Sequence, residues 1–101
     1  EIENRLACLT GSCCNQDGKS ASLTSPNGPS QQKILRESLK MAGLKPEHIA
    51  AVECHGTGTA LGDPIECGTV RSVFAKKPGG PAFVLPISSG KTNQGHLECA
   101  A

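Results

Sequence analysis

The sequence predicts an α/β fold in which helices lie against a layered sheet. Three observations predict it: apolar runs too short for helices, segments of helical spacing between them, and glycine-containing loops directly after the later runs. In order, the segments read strand, helix, strand, helix, strand and the start of another helix. No internal repeat or low-complexity tract is present, and no domain boundary divides residues 1–101.

Arg5-Leu6-Ala7-Cys8-Leu9-Thr10 reads as the first strand. Gly11 to Gly28 is rich in Gly, Ser, Asn and Pro and reads as a long irregular loop, a kind that is often functional. Asn27-Gly28-Pro29 opens the first helix, with Pro29 at its first turn. Ile34, Leu35, Leu39 and Ala42 recur at helical spacing, Gly43 caps the end, and Pro46 prevents continuation. Pro46-Glu47-His48 reads as a solvated turn.

Ile49-Ala50-Ala51-Val52-Glu53-Cys54 is the second strand and ends directly at His55. Asp63-Pro64-Ile65-Glu66 opens the second helix. Asp63 is expected as N-cap, Pro64 as the first helical residue and Glu66 as the reciprocal capping carboxylate. The helix is expected to run through Val70, Val73 and Phe74 to Lys76-Lys77, whose charges suit its C-terminal dipole. Pro78 to Pro81 form a turn. Ala82-Phe83-Val84-Leu85-Pro86-Ile87 is the third strand, with Pro86 weakening it or marking a bulge. Ser88 to Gly95 is a second glycine-containing loop.

Composition narrows the function. The chain of 101 residues is 37% hydrophobic but 2% aromatic, so its largest core anchors are Phe74 and Phe83. A net charge of +1 and no basic run beyond Lys76-Lys77 argue against nucleic-acid binding through phosphate neutralisation. No run approaches the roughly 18 apolar residues of a membrane helix. Glu1 to Arg5 do not read as a signal peptide, and both ends read as cut from a longer polypeptide. The six cysteines contain no C-x-x-C pair, which argues against metal. They read as free, mostly buried small hydrophobes in a reducing intracellular compartment, expected to be the cytoplasm, with the plastid as the alternative.

The chemistry concentrates in the loops. His55-Gly56-Thr57-Gly58-Thr59 sets a histidine among glycines that permit close backbone approach and threonines that offer hydroxyls. Lys91-Thr92-Asn93-Gln94-Gly95-His96 places a second histidine five residues after a lysine. Both histidines follow strands, where ligands gather in open α/β sheets. A carboxylate such as Asp63 or Glu66 is suited to hold the Lys91 ammonium. Gly90-Lys91-Thr92 supplies only the tail of a phosphate-loop motif and G-x-G-x-x-G is absent, so a nucleotide site is a weak competing reading.

Val52 to Glu66, with its HGTGT and GDPIE runs, resembles the signature of β-ketoacyl synthases in the form found in type I polyketide synthases. Lys91 to Glu98 resembles the second histidine motif of that domain, and Asn15 to Lys19 and Pro26 to Gln32 match the pattern between them. The resemblance implies much of the C-terminal half of a thiolase-like α/β/α/β/α fold. It implies decarboxylative Claisen condensation of an acyl chain with a malonyl-type unit on an acyl carrier protein. The alternatives it leaves are a fatty acid synthase condensing domain, or a non-catalytic relative kept for dimerisation or chain-length control.

By resemblance, His55 and His96 bond the malonyl thioester oxygen as negative charge develops on it, an oxyanion-hole function. Lys91 supports that network with Glu66 as its carboxylate partner and Asp63 nearby. Thr57 and Thr59 meet the phosphopantetheine arm. No cofactor is bound directly, since the substrates arrive as acyl and malonyl thioesters on the carrier's phosphopantetheine, and the complete domain is expected as a homodimer. The family's cysteine–serine nucleophile motif is absent from this chain, so the chain alone is expected to be inactive. Half a layered sheet would expose apolar faces and edge strands, so it is also expected to be poorly soluble or disordered. Gly90 and Gln94 stand where the family usually has aliphatic residues.

Overall fold

A computed structural model describes residues 4–16, 26–75 and 84–100. Helix α1 spans Gly28–Ala42 and starts where the sequence places it. Asn27 is the N-cap, and its side-chain oxygen accepts the Ser30 N–H at 3.0 Å. The helix ends on Gly43, whose φ of 68° is the left-handed conformation that costs glycine least. The Gly43 N–H returns to the carbonyls of Leu39 and Lys40, and the Leu44 N–H bonds Leu39 O at 3.0 Å.

Pro46–His48 is a single 3-10 turn in which His48 Nδ1 accepts the Lys45 N–H at 3.1 Å. This histidine is occupied structurally, in keeping with its place in a turn. Strand β1 follows at Val52–Glu53, helix α2 at Gly62–Phe74 and strand β2 at Ile87–Ser88. A short helix α3, Lys91–Gln94, and a 3-10 turn, Glu98–Ala100, complete the order.

The two strands pair in parallel, Val52 opposite Ile87 and Glu53 opposite Ser88. Parallel neighbours need a crossover, and α2 lies within it, so β1, α2 and β2 form a β-α-β unit. The ladder tolerates Pro86 because it uses only that residue's carbonyl, which accepts the Val52 N–H at 3.0 Å. Pro86 therefore stands just before the strand and opposes no pairing.

The core is small and sits on α2. Val70, Val73 and Phe74 are 3%, 4% and 7% exposed, and their spacing keeps them on one helix face. Leu35 and Leu39 of α1 pack against them, with Ile49, Val52, Cys54 and Leu85 from the strand side. Gly11 lies close on α1: a Cβ there would stand 2.9 Å from Ser38 O and 3.1 Å from Ala42 Cβ.

Four expectations are corrected. Arg5 to Thr10 form no strand; Leu6 and Leu9 are exposed, and among the described residues no edge pairs with them. The second and third strands shrink to β1 and β2, because among the described residues only those have ladder partners. Helix α2 begins at Gly62 and stops at Phe74, where Ala75 is already extended. Lys76-Lys77, the following turn and Phe83 lie outside the described residues. Finally, all six cysteines are free, but Cys8, Cys14, Cys67 and Cys99 are exposed rather than buried, since the small core reaches only Cys54.

Phe74 also borders an open groove of about 430 Å³ lined by Cys67, Val70, Arg71, Ala75, Leu85 and Ile87. Phe74→Ala in a complete domain carrying this chain should cost about 3 kcal/mol, the low end for a buried phenylalanine because the groove already opens beside the ring. Chemical denaturation reads this; an unchanged midpoint would remove Phe74 from the core.

Candidate active site

The loop after β1 carries His55, and its shape is set by backbone donors and two carboxylates. Gly56 and Gly58 have φ of 56° and 79°. Left-handed residues turn neighbouring N–H groups into a concavity suited to an anion. Here the concavity is filled from within the chain. Glu66 accepts the His55 N–H at 2.7 Å through Oε1 and the Gly56 N–H at 3.0 Å through Oε2. Asp63 Oδ1 accepts the Gly58 N–H at 3.1 Å.

These bonds replace the capping box expected at Asp63. The Gly62 N–H is received by Thr59 Oγ1 at 3.0 Å, and the Asp63 N–H reaches Thr59 O at 3.4 Å. Leu61 stands at the N-cap position without a side-chain cap bond, and the carboxylates of the first turn reach outward to the loop. The same donors are what a bound phosphate would need, so their internal use weighs against the nucleotide reading.

The second loop is held by residues to which the sequence reading gave no role. Glu53 Oε1 accepts the Gly90 N–H at 2.6 Å and Oε2 accepts the Ser88 hydroxyl at 2.8 Å. The Gly90 bond, followed by the Ser88 bond, holds the Glu53 carboxyl below the usual carboxylate range, and the charge of Lys91 adds to this. A signal for Glu53 exists in the sequence. In the alternation Val52, Glu53, Cys54 the neighbours face the core, so Glu53 faces the other side of the strand.

Ser89 ties the two loops together. Its hydroxyl donates to His55 O at 3.2 Å and accepts the Lys91 N–H at 3.4 Å, while Ser89 O receives the Thr92 hydroxyl at 2.7 Å. Gly56 is required at this junction, because a Cβ on it would lie 2.6 Å from Ser89 Cβ.

The result is a pair of exposed imidazoles. The His55 and His96 ring centroids are 5.7 Å apart and the rings stand edge to face at 85°. Two ring N–H donors so placed can converge on one acceptor atom. Lys91 is half-buried, but it makes no ion pair with Glu66; among the described residues the one ion pair within 4.0 Å is Lys33–Glu37. The expected Lys91–Glu66 pairing is therefore corrected. Glu66 is engaged by backbone N–H groups, and the carboxylate whose titration feels Lys91 is Glu53.

Thr57 is half-buried in the loop, and Thr59 is exposed with its hydroxyl engaged by Gly62. Cys54 precedes His55, and burial pushes its thiol up, followed by the charges of Glu66 and its neighbours; this disfavours the thiolate a nucleophile requires. No group of three or more possible metal ligands occurs among the described residues. The two upstream motifs also meet: Asn15 Nδ2 donates to Ser30 O at 2.9 Å and Oγ at 3.0 Å, and the Ser30 hydroxyl donates to Gln16 O at 3.1 Å. Asp17 to Lys19 lie outside the described residues.

Comparison with known proteins gives a consistent picture. The family described as "Beta-ketoacyl synthase, C-terminal domain" matches residues 6–101. The mycoketide-CoA synthase of Mycobacterium tuberculosis is 48% identical over 96 residues, which is 95% of this chain and 2% of that protein. Erythronolide synthase EryA2 of Saccharopolyspora erythraea is 46% identical over 96 residues, 95% of this chain and 3% of that one. The chain thus spans a few per cent of the length of these relatives. Among solved structures, a ketosynthase from module 6 of the bacillaene synthase of Bacillus subtilis 168 superposes with a TM-score of 0.73 at 43% identity, covering 83% of this chain and 15% of that one. The oxazolomycin ketosynthase domain OzmH KS7 of Streptomyces albus JA3453 gives 0.72 at 33% identity, covering 82% and 14%.

Two outcomes check the loop geometry. Gly58→Ala meets nothing within 4 Å and should cost about 1 kcal/mol of backbone strain. Gly56→Ala should cost more by thermal or chemical unfolding, and Ser89→Gly should recover part of the difference; equal costs at the two glycines would refute the close junction. The depressed carboxyl of Glu53 contributes stability that is present above its unfolded-state pKa and lost as pH falls through its lower folded value. Titration of the Glu53 carboxylate by NMR should give a midpoint below the reference value of 4.5; a midpoint at or above it would contradict the Gly90 bond.

Proposed function

The chain belongs to the β-ketoacyl synthase family, as part of its thiolase-like C-terminal domain in the form carried by polyketide synthases, and from that premise we propose that it supplies the decarboxylation half of a ketosynthase site. The observation that carries this reading is the juxtaposition of His55 and His96 at 5.7 Å. The substrates are a malonyl-type thioester on the phosphopantetheine of an acyl carrier protein and an acyl chain on a cysteine. That cysteine comes from the part of a ketosynthase outside residues 1–101. The Cys54 thiol is raised by burial and is a poor candidate for the role.

In the reaction, the bond between the malonyl α-carbon and its carboxylate breaks and CO₂ leaves. The electron pair becomes an enolate whose negative charge rests on the thioester oxygen. Ring N–H groups of His55 and His96 donate to that oxygen, stabilising charge where it develops. The enolate carbon then attacks the acyl thioester, a carbon–carbon bond forms, and the cysteine sulfur leaves as thiolate. Lys91 adds positive charge near the pair. Thr57 and Thr59 face the pantetheine arm, where the Thr59 hydroxyl can donate while its oxygen receives Gly62.

The polyketide form is favoured over a fatty acid condensing domain because relatives at 46% to 50% identity are polyketide synthases. Among the described residues no helix is long and apolar enough to cross a membrane. The complete domain is proposed to act as a homodimer.

In a complete ketosynthase carrying residues 6–101, His55→Ala and His96→Ala should each lower malonyl-thioester decarboxylation by roughly 10² to 10³, the loss typical of one oxyanion donor. Measurement of CO₂ release checks this. Parental rates in both variants would defeat the reading.

A further inference from the structure

Glu53 lies outside the histidine pair, yet it makes the side-chain connection from β1 to the start of the second loop. It stands opposite Ser88 across the parallel ladder. Its two carboxylate oxygens take one donor each, the Gly90 N–H at 2.6 Å and the Ser88 hydroxyl at 2.8 Å. Gly90 in turn begins the segment that carries function. Its carbonyl receives the N–H groups of Asn93 at 3.1 Å and Gln94 at 3.3 Å, which closes α3 and leads through Gly95 to His96. From this geometry we infer that Glu53 is a positioning residue: it fixes the loop bearing Lys91 and His96 against β1, and so sets the place of His96 relative to His55.

The chain of constraint is short. His55 follows Glu53 by two residues, so the strand that delivers one imidazole also anchors the loop that delivers the other. Ser89, between the two residues that Glu53 holds, bonds the His55 carbonyl. Displacing Gly90 therefore moves Ser89, α3 and His96 together. Glu53 itself needs no contact with substrate; it acts through the loop. Because misplacing a reacting geometry by about 1 Å can cost on the order of a hundredfold in rate, a residue of this kind shows in kcat.

The inference rests on the ketosynthase reading for its activity measurements, but not for its structural one. In a complete ketosynthase carrying residues 6–101, Glu53→Ala should lower kcat for malonyl-thioester decarboxylation roughly ten- to a hundredfold with KM within about twofold. Glu53→Gln should restore most of the rate. Its amide oxygen can still accept from Gly90, and its NH₂ can donate to the Ser88 hydroxyl, which is able to reverse its role. Ser88→Ala should reduce kcat by about two- to fivefold in the parent and by nothing further in the Glu53→Ala background, as expected of residues acting as one unit.

In a sample labelled on histidine, the ring signals of His55 and His96 should shift in Glu53→Ala and stay near parental positions in Glu53→Gln. Parental kcat in Glu53→Ala, equal loss in the alanine and glutamine variants, or unmoved histidine signals would overturn the inference. Should Glu53→Ala fail to fold, Ser88→Ala decides, and a parental rate there overturns it. If His55→Ala and His96→Ala both decarboxylate at the parental rate, the ketosynthase reading falls instead, and the histidine signals still test Glu53.

Discussion

The grip of Glu66 on the backbone of His55 and Gly56 is the constraint on which the rest of the site depends. A charged acceptor shared by two adjacent N–H groups fixes the plane in which the chain leaves β1, and with it the direction in which His55 departs. The same choice explains the start of α2. With Glu66 turned to the loop, the helix starts at Gly62 without a side-chain N-cap, and the Gly62 N–H is received by the Thr59 hydroxyl three residues earlier. Asp63 repeats the pattern on Gly58. The left-handed glycines are what aim these donors at the carboxylates, so the glycines and the acids of HGTGT and GDPIE form one device.

A third carboxylate completes the arrangement. Glu66, from α2, holds the loop after β1; Glu53, from β1, holds the loop after β2. Ser89 joins the two loops through the His55 carbonyl. Each loop is thereby tied to the element that precedes or follows the other loop, and neither histidine depends on its own loop alone. Sites that must hold donors within a fraction of an ångström are commonly supported by such outer contacts. Lys91 fits this scheme as a charge near Glu53, without a carboxylate locked to it.

Much of the site is legible in the sequence because its information is local. The histidines, their glycines, and the order strand, helix, strand follow from short-range pattern, and α1 follows from Asn27, Pro29 and Gly43. What escapes is pairing at long range. The Glu53 bonds to Ser88 and Gly90 span 35 and 37 positions in the chain, and no periodicity encodes them. The capping error at Asp63 has the same origin: a local rule gives the right chemistry, and a loop brought near by the fold takes the acceptor. Arg5 to Thr10 fail as a strand for a related reason. An apolar run becomes a strand only where an edge receives it, and pattern alone does not supply the edge.

The described residues separate two requirements that catalysis joins. Placement is addressed within them, since the loops that carry the imidazoles are held by bonds between residues 53 and 92. A water-poor environment is not met there. His55 and His96 are exposed, and the groove lined by Val70, Phe74, Leu85 and Ile87 is open on its apolar side. Hydrogen bonds to a developing oxyanion gain most of their strength where water is excluded. In the proposed ketosynthase, the dielectric around the pair must therefore come from surfaces beyond these residues, whereas its geometry is encoded here. Substitutions in the Glu53–Ser89–Glu66 framework consequently act on where the donors stand, and the surrounding domain determines how strongly they act on charge.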